Sequence, residues 1–359
     1  MLRTLTHPTQ AMIADTTRQL MVERIKSQQV RAALIHPDYE SLWQLIDDFV
    51  QAGGKFMRPY LLALSYLASS GKESVDDILP ALGAVELLSR SLLIHDDIID
   101  RDDVRYGARN VSGQRSDEYQ EIISDERDRE HFAHSAAILA GDLTLSLAHQ
   151  LLAECRVSAD RLLEATYIFN EGIFRVAGGE LLDTESSFRG QDAASATLIA
   201  REKTASYSVC MPLKLGAALA GEPSDRLEQL DRVGMLLGEA YQLQDDVLGT
   251  FGQESVTGKS VDSDLREGKQ TYMIEYFSEH ATDSQKQSLG RCLGVSEAAS
   301  ADFEAGRAAL KESGALDAVE LRIDSLIEAA LGEIVQLGWP DEHIDSLADF
   351  AKRSVRRQK

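Results

Sequence analysis

The sequence predicts an all-α protein, a single large helical bundle running through residues 1–359. Three observations carry that expectation. The seven prolines stand at 8, 37, 59, 80, 212, 223 and 340 and leave long proline-free stretches between them. Those stretches are rich in Ala, Leu and Glu and repeat their apolar residues with a helical period. Period-two runs of Val, Ile and aromatic residues are missing, so no sheet is predicted.

Taken in order, helices are expected at about 12–35, 39–52, 57–70, 76–101, 132–155, 159–187, 193–221, 225–251, 269–280, 285–292, 299–312, 316–337 and 341–357. Residues 112–130, SGQRSDEYQEIISDERDRE, are polar and charged and read as a surface insert between buried helices. No Pro/Gly/Ser-rich linker divides the chain, which argues for one domain.

Lys and Arg total 37 against 59 Asp and Glu, a formal net charge of −22. That balance argues against a general nucleic-acid binder, which needs a basic surface. It leaves room for an anionic small substrate if metal ions screen the contact. Cys155, Cys210 and Cys292 are few, widely spaced and odd in number, which fits a reducing cytoplasm. The N-terminal MLRTLTHPTQAMIADTTRQL lacks the apolar core of a secretory signal, and no apolar run is long enough for a transmembrane segment.

The chemistry concentrates in two acidic motifs. In LLIHDDIID, residues 92–100, Asp96, Asp97 and Asp100 follow an apolar run and share about 100° of helical arc. YQLQDDVLG, 241–249, repeats the arrangement with Asp245 and Asp246. Like charges at the ends of buried helices repel and resist desolvation, so a cation must compensate. Oxygen-only donors on rigid helices suit Mg²⁺, with Mn²⁺ a possible substitute, and Mg²⁺ shares its coordination with phosphate. Cations for a phosphate are at hand: Lys55 and Arg58 beside Gly53-Gly54, Lys203 with Thr204, Lys259 in Thr257-Gly258-Lys259, and Lys269 in Gly268-Lys269-Gln270-Thr271.

The order GGKxxRP, HDDxxD, KT, QxQDD, TGK, EGK resembles the trans-prenyltransferase (polyprenyl diphosphate synthase) family, most of all the bacterial geranylgeranyl diphosphate synthases. The likeness runs from about Gly53 to Thr271, and AILAGDLTLSLA, 137–148, looks like an internal helix of that family. The resemblance implies an isoprenoid-synthase bundle around a central apolar cavity, usually a homodimer. It implies head-to-tail condensation of isopentenyl diphosphate with an allylic prenyl diphosphate. On it, Asp96, Asp97, Asp100, Asp245 and Asp246 hold Mg²⁺ against the allylic diphosphate, which Arg105, Lys203 and Lys259 contact with Lys269 close by. Thr204 and Gln242 face the developing allylic cation, and Lys55 and Arg58 grip isopentenyl diphosphate.

The chain departs from the pattern in places. Gly249 stands where the second motif usually ends in Asp, Ser89 where His or Gln is usual, and Arg105-Tyr106 where Arg-Arg is usual. Arg109-Asn110 replaces Pro-Thr, and Glu180 replaces a Gln in Gly179-Glu180…Asp183. The altered positions 89 and 106 belong to the acceptor site, and Arg90 and Arg109 are the cations near enough in sequence to compensate. Two other readings compete: an enzyme that ionises a prenyl diphosphate without using isopentenyl diphosphate, such as a terpene cyclase or a prenyltransferase with another acceptor, and a non-catalytic partner subunit. Ser89 and Tyr106 favour the first of these; Lys55, Arg58 and the five aspartates oppose them. For product length, the family stops growth with bulky aromatics just before the first motif. Here Leu88, Ser91 and Leu92 stand there, which implies about twenty carbons, geranylgeranyl diphosphate.

Overall fold

Helices take up most of the described residues, as the spacing of apolar residues and prolines predicts. The structure is a computed structural model and describes residues 7–189, 194–252, 263–295 and 297–355. Its residues group into two compact units, one reaching to Thr166 and including Ala218–Gly221, the other Tyr167–Ala217 with Glu222 onward.

The first unit holds α1 (Gln10–Ala33), α2 (Pro37–Gln51), α3 (Met57–Ser70), α4 (Leu79–Ile99), α5 (Val111–Glu118), α6 (Glu126–Ala153) and the start of α7 (Ala159–Arg189). Thr9 caps α1 by accepting from Met12 N, and Ile13, Thr17, Leu20, Met21 and Ile25 line its buried face at helical spacing. Pro37 opens α2, where its missing N–H leaves no helical bond unmade. Every residue of α4 from Ala81 to Ser91 is buried, so this helix is the centre of the unit. It packs on α6, whose small residues Ala133, Ala137, Ala140, Gly141 and Ala148 allow close approach. A Cβ on Gly141 would stand 2.1 Å from His95 Nε2, so glycine is required where α6 crosses the last turns of α4. Among the described residues, α6 is the helix long and apolar enough to cross a membrane by length and composition; half of that stretch is buried inside the protein.

Two expectations need correction here. Val104–Arg105 (β1) and Ala108–Arg109 (β2) pair antiparallel in a small hairpin, although no sheet was predicted. Tyr106 and Gly107 take φ +56° and +76°, the positive values of a tight two-residue hairpin turn. Residues 112–130 are largely helical: they contain α5 and the first turn of α6. Asn110 caps α5 by accepting from Gly113 N, and Ser112, Gly113 and Arg115 are buried. Arg115 donates to Ser41 Oγ at 3.0 Å and Glu118 Oε2 at 2.7 Å, so a charged residue here is packed inward with its partners.

The second unit holds the rest of α7, then α8 (Ala196–Ile199), a π-helix (Ala200–Cys210), most of α9 (Met211–Ala220), α10 (Ser224–Phe251), α11 (Ser263–Glu267), α12 (Tyr272–His280), α13 (Asp283–Leu289), α14 (Ser300–Glu312), α15 (Ala315–Val335) and α16 (Asp341–Val355). The expected continuous helix 193–221 is thus three segments with a π-helix in the middle. α10 lies between the π-helix and α15. Leu243, Val247, Met273, Phe277, Phe303, Leu310 and Ile323 build the apolar core on one side. On the other, Glu239 is buried between Arg201 (2.8 Å) and Arg322 (2.6 Å), so its charge is paired rather than stranded.

Candidate active site

The first acid motif occupies the C-terminal end of α4. Asp96 and Asp97 lie in its last turn and Asp100 is its C-cap. That is the negative end of the helix dipole, where carboxylates are disfavoured. Arg101 ends the helix in the left-handed region, φ +58°, and the hairpin then folds Arg105 back onto the acids. Arg105 Nε donates to Asp97 Oδ1 at 2.6 Å and its Nη2 to Asp96 Oδ2 at 3.0 Å, with Asp102 3.8 Å away. Burial pushes the Asp97 carboxyl up to about 6 against the pull of Arg105, and Asp96 and Asp102 add to the push. Asp97 Oδ2 is buried and accepts no hydrogen bond. Arg105 is partly desolvated as well, yet Asp97 and Asp96 hold its pKa above the ordinary arginine value.

Lys55 and Arg58 lie at the entry to α3, Lys55 exposed and Arg58 partly buried. The turn before them is tight: Gly54 has φ +122° and Phe56, the N-cap, φ +49°. Arg90 from α4 donates through Nη2 to the Gly53 carbonyl and to Glu86 Oε1 (2.9 Å), and through Nη1 to the Tyr106 hydroxyl (3.2 Å). Ser89 is buried within α4. Arg109 is committed elsewhere, to Asp117 at 2.8 Å and Asp103 at 3.3 Å. The charges of Arg90 and Arg109 are both compensated.

Of the positions expected to set product length, Leu88 is fully buried and Leu92 is partly exposed. Ser91 is buried and its Oγ donates to the Gly141 carbonyl of α6 at 2.8 Å. It belongs to the α4–α6 contact.

In the second unit, the π-helix carries Lys203 and Thr204 to two different neighbours. Lys203 Nζ reaches α7, at 2.9 Å from Glu180 Oε2 and 2.6 Å from Asp183 Oδ2. Thr204 Oγ1 donates to Gln242 Oε1 of α10 at 2.5 Å, and Gln242 Nε2 donates to Asp246 Oδ1 at 2.7 Å. The close approach depends on glycine. A Cβ on Gly179 would meet Lys203 N at 2.1 Å, and one on Gly238 would meet Ala205 Cα at 2.4 Å. The wider π turn fits the backbone between these two contacts, a feature common at functional sites.

Asp245 and Asp246 are partly buried near the C-terminal end of α10. Burial pushes the Asp246 carboxyl up to about 7, and the charge of Asp264 adds to the rise; the Gln242 bond and Lys269 oppose it. Lys269 lies 3.0 Å from Glu267 and 3.7 Å from Asp264. Lys259, with Thr257 and Gly258, lies outside the described residues.

Both motifs fit a divalent cation chemically. Their donors are all oxygens, one of them is a buried carboxylate oxygen with no hydrogen-bond partner, and two carboxyls resist ionisation chiefly because they are buried.

Comparison with known proteins decides what this arrangement serves. A family profile described as polyprenyl synthetase matches residues 39–307. The chain belongs to the polyprenyl synthetase family. It is 32% identical over 319 residues to the geranylgeranyl diphosphate synthase of Methanosarcina mazei, covering 89% of this chain and 88% of that one. It is 30% identical over 286 residues to the geranylfarnesyl diphosphate synthase of Aeropyrum pernix, covering 78% and 83%. The geranylgeranyl pyrophosphate synthase of Corynebacterium glutamicum superposes with a TM-score of 0.89 at 30% identity over 96% of this chain and 99% of that one. The enzyme is therefore a prenyltransferase that elongates prenyl diphosphates, and the readings as a cyclase or a non-catalytic subunit fall away.

As a polyprenyl synthetase the chain has site contacts that its sequence did not disclose. The hold of Arg90 on the Gly53 carbonyl and the Tyr106 hydroxyl is one; the signal was a charge inside the apolar run LLSRSLLI. Asp264 is another: a Cβ built on Gly249 would stand 1.9 Å from its Oδ2, so its carboxylate fills the place beside α10 that a side chain at 249 would take. Gly249 in an otherwise acidic motif was the signal there. Glu180 and Asp183 matter as the holders of Lys203.

Proposed function

We propose that the enzyme condenses isopentenyl diphosphate with an allylic prenyl diphosphate in the presence of Mg²⁺, and that its main product is the twenty-carbon geranylgeranyl diphosphate. The observation that carries this reading is the first acid motif. Three carboxylates, Asp96, Asp97 and Asp102, surround Arg105, and an oxygen of Asp97 is left unpartnered in the interior. Such a site is short of positive charge. Asp96, Asp97, Asp100, Asp245 and Asp246 would hold Mg²⁺, which when bound would supply it and neutralise a leaving diphosphate. Mn²⁺ has the same ligand preference and is a possible substitute.

The side chains divide the remaining work. Lys203, held by Glu180 and Asp183, and Lys259 and Lys269 offer ammonium groups to the allylic diphosphate as the carbon–oxygen bond breaks. Gln242 is fixed at both ends: its carbonyl accepts from Thr204 and its amide donates to Asp246. That leaves the Thr204 and Gln242 oxygens as ordered negative dipoles toward an allylic cation. Lys55 and Arg58 hold isopentenyl diphosphate, with Ser89 of α4 and Tyr106 of the hairpin as the other acceptor-site positions. Non-aromatic Leu88 and Leu92 leave room to pass fifteen carbons, and the relatives include geranylgeranyl synthases.

α7 supports a homodimer. Tyr167, Phe174, Leu181 and Phe188 recur every seven residues and are 65%, 75%, 60% and 86% exposed. A large apolar stripe at that spacing suits a second copy of the same helix. We read the chain as one catalytic domain working in the cytoplasm, in line with three buried free cysteines.

The test is direct. With Mg²⁺, farnesyl diphosphate and labelled isopentenyl diphosphate, the enzyme should form geranylgeranyl diphosphate. A chelator should abolish the reaction, and Asp96→Ala or Asp245→Ala should lower turnover by about three orders of magnitude. Full activity in chelator, or in Asp96→Ala, would end the metal reading.

A further inference from the structure

We propose that Arg90 is a positioning residue of the acceptor half of the site: it fastens the Gly53–Phe56 turn to the hairpin through Tyr106 and thereby sets where Lys55 and Arg58 stand. Arg90 is 1% exposed, among the largest fully buried side chains of the molecule. Burying a guanidinium is costly unless its charge and its donors are met. Glu86, one turn earlier on α4 and equally enclosed, meets the charge at 2.9 Å. Its two terminal nitrogens donate to the loop elements on either side, while Nε is buried with no hydrogen-bond partner. Nη2 holds the carbonyl of Gly53, and Nη1 holds the Tyr106 hydroxyl at 3.2 Å.

The turn is shaped around this side chain. A Cβ on Gly54 would lie 2.1 Å from Arg90 Nη2, so position 54 has to be glycine while Arg90 is in place. A Cβ on Gly53 would lie 3.0 Å from Tyr106 Cγ. The guanidinium carbon stands 5.5 Å from the Tyr106 ring centre and 5.8 Å from that of Phe56. Gly54 and Phe56 both adopt positive φ; for Phe56, which is not glycine, that backbone persists only when its surroundings enforce it. Lys55 lies between these two residues, with its own side chain exposed. The chain on either side of Lys55 is thus held by Arg90, while Glu86 neutralises the Arg90 charge. Arg90 acts as a fastener, and Lys55 and Arg58 supply the charge to the ligand.

Tyr106 gains a definite task on this view. Its ring closes over Gly53 and its hydroxyl accepts from Arg90, so the hydroxyl should matter only while Arg90 can donate to it. Lysine cannot replace Arg90, because an ammonium lacks the planar fork that serves three acceptors at once.

The inference rests on Lys55 and Arg58 being the isopentenyl diphosphate residues, and the experiment separates the two claims. KM and kcat are measured for each substrate in Lys55→Ala, Tyr106→Phe, Arg90→Lys and the double variant Arg90→Lys with Tyr106→Phe, together with melting temperatures. Lys55→Ala should raise the isopentenyl diphosphate KM and leave the allylic KM alone. Tyr106→Phe, a mild change on a partly exposed side chain, should raise the same KM about threefold to tenfold at an unchanged melting temperature. Arg90→Lys should raise it by about tenfold or more, and adding Tyr106→Phe should bring no further increase. If Lys55→Ala leaves that KM unchanged, the assignment of Lys55 fails and the inference fails with it. If Lys55→Ala raises it but Tyr106→Phe does not, or if the Arg90 and Tyr106 effects simply multiply, the assignment stands and the fastener is wrong. Equal losses for both substrates with a lowered melting temperature in Tyr106→Phe would reduce Arg90 and Tyr106 to general stability and also overturn it.

Discussion

The carboxylate of Asp264 lies where a side chain of residue 249 would begin: a Cβ on Gly249 would be 1.9 Å from Asp264 Oδ2. Gly249 is three residues beyond Asp246 on α10 and so faces the same way. The carboxylate missing from the second motif is thus replaced in space by one from α11. Gly249→Ala should displace Asp264, because a side-chain atom cannot approach another at that distance. The Mg²⁺ concentration giving half-maximal activity should rise by about fivefold or more, and Asp264→Asn should do the same. A Mn²⁺ titration followed by electron paramagnetic resonance checks the binding itself. An unchanged metal requirement in both variants would show that Asp264 plays no part.

Asp97 and Asp246 make the metal-free protein sensitive to pH. Their carboxyls are pushed up to about 6 and about 7, chiefly by burial, from an ordinary value near 3.8. Between the ordinary and the raised value the folded protein binds more protons than the unfolded chain, so stability falls as pH rises through that window. In chelator, the melting temperature should drop between pH 5 and pH 8, and Asp246→Asn should shrink the drop. Mg²⁺ binds the ionised forms, so it should raise the melting temperature more at pH 8 than at pH 5. Equal Mg²⁺ stabilisation at both pH values would contradict the assignment of these carboxylates.

Tyr106 stands where an arginine is usual in this family, and restoring arginine there looks from sequence like a gain for the acceptor site. The geometry adds a condition. The Tyr106 hydroxyl accepts from Arg90 Nη1, so an arginine at 106 would bring two guanidinium groups together with one buried carboxylate, Glu86, between them. Tyr106→Arg alone, or with Ser89→His, should therefore raise the isopentenyl diphosphate KM and lower the melting temperature. Adding Arg90→Asn should recover much of both, since the new guanidinium then has the Gly53 carbonyl within reach. Steady-state kinetics with each substrate varied in turn decide the matter. A lower KM in Tyr106→Arg with Arg90 intact would refute the argument.

Much of this was legible before any coordinates, for a local reason. Apolar periodicity and proline placement are properties of short windows, and they located the helices that carry Asp96, Asp97, Asp245 and Asp246. What escaped was set by contacts between windows. The π-helix differs from an α-helix by a slight widening, fixed by Gly179 and Gly238 on its neighbours. The hairpin around Tyr106 has two residues per strand, too few for any alternation to show. The polarity of residues 112–130 reads as a surface insert, yet Arg115 is buried with Ser41 and Glu118 as partners. Asp264 and Arg90 act through side chains that reach another element, and no spacing rule announces that.

Helix geometry predicts which positions on α4 should act on product length. At about 100° per residue, Leu92 lies about 40° from Asp96 around the helix, Leu88 about 80° and Ser91 about 140°. Leu92 and Leu88 are therefore on the side of the helix that a prenyl chain leaving the aspartates would follow. Ser91 points to α6, where its Oγ donates to the Gly141 carbonyl at 2.8 Å. The same stretch of α6 is already crowded, since His95 packs onto Gly141 at a distance no Cβ could tolerate. Leu92→Phe should thus shift the main product from twenty carbons to fifteen, because the ring fills the space a five-carbon unit needs. Ser91→Phe should instead force α4 and α6 apart and cost about 1–3 kcal/mol of stability. Ser91→Ala should cost about 1 kcal/mol through the lost hydrogen bond and leave product length alone. Chromatography of the dephosphorylated products, read beside thermal melts of the three variants, separates the roles. A shortened product from Ser91→Phe at parental stability would place Ser91 in the chamber wall and move the length-setting face around the helix.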